Sequence, residues 1–156
     1  MTAPHTNPTP TLEETARRRT NLYRAILELE QAAARPAVAR EHVWAHGVIE
    51  VLKRLEIEID EHIEITERAG GLYDEITKTA PRLTHTIDRL RDEHPQLRDT
   101  TRQLLARFLS TPLDAAWPVT DARDQIQRLL GQLVKHRQLG ADLVWEAYNH
   151  DIGGNG

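Results

Sequence analysis

The chain has 156 residues, a formal net charge of −4, 28% charged residues and no cysteine. That length suffices for one domain with a sizeable core; the charged fraction and the lack of a long apolar run argue against a membrane protein, and the mildly acidic balance gives no electrostatic footprint for nucleic acid. Without cysteine there are no disulfides, thiolate metal sites or thiol chemistry.

Residues 1–10, MTAPHTNPTP, lack the positive start and apolar run of a secretory signal. They read as a disordered tail, and the expected compartment is the cytoplasm. Aromatic residues are only 4% of the chain, so the core must come from Leu, Ile, Val and Ala. With abundant Arg, Glu and Gln, that composition favours helices. Apolar steps of three and four residues predict four of them.

Helix A spans about 11–34 and closes at Arg35-Pro36, with a seam of Leu12, Thr15, Arg19, Leu22, Ile26, Leu29 and Ala33. Helix B spans about 40–69 and meets Gly70-Gly71; its seam is Val48, Leu52, Leu55, Ile59, His62 and Thr66. Helix C begins near Thr79, a predicted N-cap with Pro81 in the first turn, and ends near Ser110. Its seam runs Ile76, Ala80, Leu83, Ile87, Leu90, His94, Leu97, Thr101, Leu104 and Phe108. Helix D starts after Pro118 at Thr120 or Asp121 and runs to about 150, with Ile126, Leu129, Leu133, His136, Gly140, Leu143 and Ala147 on its seam. Gly140 is expected to let a neighbouring helix approach closely. Residues 151–156, DIGGNG, form a flexible tail. Four such helices with short connections make an all-α, antiparallel up-down four-helix bundle over residues 11–150. Trp44, Trp117 and Trp145 are expected to pack at helix ends.

Five of the eight histidines, His5, His42, His46, His85 and His150, fall on the tail, the surface or the C-terminal edge. His62, His94 and His136 lie on core seams. His94 is 16 residues from the end of helix C, and His136 is 16 residues from a helix D start at Thr120, so the two are level. His62 falls short by ~12 Å at the helical rise unless residues 72–78 continue helix B past a kink at the glycine pair. In that case all three rings meet in one layer. Three neutral imidazoles converging in a bundle could hold iron or zinc, completed by Glu58 or Glu67. The alternative is three core histidines satisfied by polar neighbours. Pro95 directly follows His94. It either kinks helix C and re-aims the ring or opens a second, shorter helix.

With these residues placed, the chain resembles the hemerythrin-like, or HHE cation-binding, family. In that family helix A offers a His, helix B an HxxxE, helix C an HxxxH, and helix D a His followed by a carboxylate; together they hold a di-iron centre. Here His62 in EHIEITERAGGLYDEI, His94 in LRDEHPQLR and His136 in VKHRQLGADLVWEAY match histidines of the pattern. Thr66 stands at the helix B acid, Arg98 at the second His of helix C, and Arg19 at the helix A His; the helix D acid is displaced to Asp142 or later. A guanidinium stays protonated and cannot ligate a metal. Arg19 and Arg98 would instead suit a bound anion, or pair with Glu58 or Glu67. The resemblance implies a hemerythrin-like bundle that binds iron, mononuclear or di-iron, for dioxygen or nitric oxide binding or for redox or metal sensing. A metal-free interaction module and an enzyme acting through a metal or an Arg-lined pocket are the rivals.

Overall fold

The computed structural model describes residues 9–150. Five helices follow one another: α1 (Pro10–Ala34), α2 (Glu41–Glu67), α3 (Leu72–Thr79), α4 (Thr84–Ser110) and α5 (Val119–Trp145), with a 3₁₀ turn at Pro81–Leu83 and a π turn at Glu146–His150. The four long helices pack in the ring α1–α2–α4–α5, each against two neighbours. Helices of 25 to 27 residues joined by short connections must alternate in direction, so this is the expected antiparallel bundle. None of the described helices is long and apolar enough to cross a membrane.

The termini of α1 follow from local chemistry. Thr9 accepts a hydrogen bond from Leu12 N at 3.1 Å, and Pro10 takes the first helical position, where its missing N–H costs nothing. Of the residues read as tail, Pro10 therefore belongs to the helix and Thr9 caps it; residues 1–8 and 151–156 lie outside the described residues. Arg35, held extended by Pro36, ends α1.

The seams are buried except at Leu12, Arg19 and Gly140, which are half-buried, and they form two aliphatic storeys rather than one core. The lower is built around Leu29, Leu52, Leu55, Ile126 and Leu129 and is closed by Trp44, Phe108 and Trp117. Arg123 seals its end, donating to Ala33 O at 2.9 Å and Arg35 O at 2.6 Å. Trp145, also expected to pack, is 58% exposed. The upper storey comprises Leu72, Tyr73, Ile76, Ala80, Leu83, Ile87, Leu90, Leu143 and Ala147.

The glycine pair does more than kink helix B. It ends α2 and lets α3 begin in a new direction. Gly70 adopts φ +73°, and a Cβ on Gly71 would stand 2.8 Å from Arg68 O and 2.9 Å from Ile65 O. Only glycine fits both requirements. Asp74 accepts from Gly70 N at 2.9 Å and steadies the turn. As a result, Leu72, Tyr73 and Ile76 line the upper storey as the seam argument needed, but on a separate helix.

Three boundary and packing expectations change. Thr79 is the last residue of α3 rather than a cap: its hydroxyl donates back to Glu75 O at 3.2 Å. Pro81 opens the 3₁₀ turn, and α4 starts only at Thr84. α4 is one helix through Pro95, not two. Pro95 lies on the exposed face, where water can satisfy the Arg91 carbonyl left without a donor. Gly140 does not allow close helix approach, because a Cβ there would meet nothing within 4 Å. Gly140→Ala should therefore raise stability by about 0.5–1 kcal/mol, the usual helix-interior difference, whereas Gly71→Ala should lower it, both read by thermal unfolding.

Candidate metal centre

Between the two storeys lies a polar layer. His62 of α2, His94 of α4 and His136 of α5 are 8%, 1% and 3% exposed, and their ring nitrogens approach within 4.8 Å of one another. Ring centroids are 5.2, 5.4 and 4.9 Å apart. His62 Nε2 and His136 Nε2 stand 3.3 Å apart.

The outer nitrogens show how the rings are aimed. His94 Nδ1 lies 2.6 Å from Glu67 Oε2, and His136 Nδ1 lies 2.8 Å from Glu93 Oε1. A carboxylate at Nδ1 holds the proton there, so Nε2 presents a lone pair to the layer. Tyr73 stacks on His94 at an interplanar angle of 15°, with its hydroxyl 3.3 Å from His94 Nε2. His62 Nδ1 is buried and has no partner.

Burial keeps all three rings neutral. It lowers His62 well below the ordinary imidazole value, helped by His94, His136 and Arg19. It lowers His94 to about 3, helped by His136, Arg98 and Arg91. It lowers His136 as well, against the opposing pull of Glu93. Neutral imidazole is the form that ligates metal. Two nitrogens bound to one tetrahedral ion at ~2.1 Å each stand ~3.4 Å apart, close to the observed separation of His62 and His136. The donor set could hold a metal ion.

The other predicted site residues scatter around this layer. Glu67 stands behind His94 and lies outside the group of converging donors. Glu58 is outside it too; its Oε2 is buried without a partner, and burial, then Glu61, raises its pKa against the pull of Arg18. Arg19 and Arg98 line different cavities. Arg19 lines a small cavity with His62 and His136, whereas Arg98 faces outward and pairs with Asp60 at 2.9 Å, at the rim of a groove beside Pro95. α4 turns Arg98 away from the seam that carries His94, so of the two arginines expected to suit an anion only Arg19 borders the layer. Glu93 and Tyr73 were not anticipated. Glu93 flanks the α4 seam by one position and so reaches across to α5. Its only sequence signal was an acid adjoining a seam histidine.

These pKa shifts fix the acid response of the metal-free protein. Each folded-state histidine has a depressed pKa, so below pH ~6.5 the unfolded chain binds protons that the folded chain does not. Stability is complete above that value and falls as pH drops toward the folded pKa, by up to about 1.4 kcal/mol per unit for each histidine. Denaturant unfolding of chelator-treated protein between pH 7 and 5 should show this slope, and His94→Leu should flatten it.

Comparison with curated proteins and with solved structures yields no match. The family model of the hemerythrin HHE cation binding domain matches residues 18–139, which include all three layer histidines. With that match over well above half its length, on a four-helix bundle whose buried histidines converge, the chain belongs to the hemerythrin HHE cation-binding domain family.

Proposed function

We propose that the chain binds a single transition-metal ion, iron in the first instance and zinc as the alternative, through Nε2 of His62, His94 and His136. The observation that carries this reading is the convergence of three neutral imidazoles whose outer nitrogens, in two cases, already rest on carboxylates. Imidazole donors suit iron and zinc alike. A three-histidine set leaves coordination positions open, and a bound iron would supply a site to which dioxygen or nitric oxide can add. The residues around it favour small-molecule binding or sensing. Tyr73, kept protonated because burial raises its pKa, offers a neutral O–H at the layer. The aliphatic storeys on either side exclude bulk water. Glu67 and Glu93 are the orienting partners, each fixing a proton on Nδ1 of its histidine.

A di-iron centre finds less support. The converging donors are three histidines with no carboxylate among them in the described residues, and the cationic Arg19 lines the same space, where it would repel a second cation.

Metal content by mass spectrometry, with visible absorption, tests the reading directly. About one metal ion per chain is expected after reconstitution, falling together with the melting temperature in His94→Ala. No uptake of iron or zinc would overturn it. Glu67→Gln and Glu93→Gln should each lower metal affinity by roughly 10- to 100-fold, as loss of an orienting partner does, without changing the helical content seen by circular dichroism.

A further inference from the structure

The cavity beside the histidine layer contains a charge that nothing in the described chain balances. Its volume is about 30 Å³, and its lining includes Arg19, Arg137, His62 and His136 together with Thr15 and Thr66. Arg19 Nε is buried and has no hydrogen-bond partner, and no described carboxylate pairs with it. Arg137, near enough to repel it, stacks instead on the Tyr23 ring at 3.9 Å. Arg19 as a whole is half-buried and Arg137 is exposed, so the cost falls on the one enclosed N–H, Arg19 Nε, which has no acceptor.

The rest of the lining narrows what could balance it. Thr15 donates its hydroxyl proton to Thr11 O at 2.8 Å, and Thr66 donates to His62 O at 2.8 Å. Their protons are spent, the Tyr73 hydroxyl lies 3.3 Å from His94 Nε2, and Leu22, Leu72, Leu143 and Val144 offer none; the free enclosed donors are Arg19 Nε–H and, in the tautomer that carries its proton there, His62 Nδ1. His62 is 8% exposed, and its Nδ1 is the one outer nitrogen of the layer with no partner. A cavity needs ~10–15 Å³ to hold one water, so this one takes about two or three non-hydrogen atoms.

We propose that this cavity is a binding site for a small planar monoanion of the formate or nitrite type, held by the Arg19 fork with Arg137 as a second positive charge. Two oxygens on one centre match the parallel N–H groups of a guanidinium. A single negative charge neutralises Arg19, and the small volume favours an anion of few atoms. The site does not require a metal. If the histidines also hold a cation through Nε2, the His62 proton must sit on Nδ1, and the anion then gives that N–H the acceptor that Glu67 and Glu93 give the other two rings. That last step rests on the metal reading above and implies that formate and metal strengthen each other's binding.

The test uses the whole 156-residue chain, chelator-treated, in chloride-free gluconate buffer at constant ionic strength, with formate as the probe. Formate should raise the melting temperature saturably, on the order of 5 °C, while added gluconate does not. Arg19→Gln should lose the response and melt no lower than the wild-type protein without formate, because the unpaired charge is gone. An equal rise with gluconate, the same response in Arg19→Gln, or no rise at all would overturn the site. Should Arg19→Gln fail to fold, calorimetric titration of formate into the wild-type protein decides alone: saturable one-to-one heat supports the site, and its absence removes it. Metal uptake is scored separately. Formate binding without metal uptake supports the anion site while removing the metal reading, whereas metal uptake without a formate response overturns the anion site alone.

Discussion

Burying three imidazoles in an aliphatic bundle sets the terms for everything around them. Each ring carries two polar nitrogens, and each unsatisfied one costs free energy. The bundle meets this cost by splitting its core into two storeys and placing a polar layer between them. Glu67 of α2 serves His94 of α4, and Glu93 of α4 serves His136 of α5. Each carboxylate reaches from the helix preceding its histidine in the ring. A fully aliphatic seam would pack more simply; the polar layer interrupts it only at the level of the three histidines.

The same pattern breaks at α1. In the ring, α1 precedes α2, and an acid there would complete the series by serving His62. Arg19 lines the space instead, and His62 Nδ1 is left without a partner. One change of type, a cationic donor in place of an anionic acceptor, thus changes both the charge of the cavity and the protonation logic of the layer. It also explains why burial is joined by Arg19 among the causes that hold His62 neutral.

The helix break at Arg68–Gly71 has a matching structural role. A continuous α2 would carry its seam onward with no aromatic ring beside His94. By stopping α2 and restarting at Leu72, the chain brings Tyr73 onto the face of His94 and Ile76 into the upper storey. Gly70 supplies the left-handed residue and Gly71 the close backbone approach. Two adjacent glycines therefore close the top of the bundle and wall the site.

The sequence alone determined what depends on position along a helix. Apolar spacing of three and four residues marked which faces are buried, and counting residues from the shared turn put His94 and His136 at one height. Those inferences hold because α-helical geometry is local and regular. Tertiary structure decided what depends on how one helix is rotated and shifted against another. It placed Glu93, one position off a seam, at His136 on the next helix, and it turned Arg98 out to Asp60 while leaving Arg19 in the cavity. It also separated α3 from α2, which a seam argument could place in height but not in direction. A shift of one residue swings a side chain by ~100° about its helix, so membership of a site is settled by cross-helix packing, while membership of the core is already written in the period.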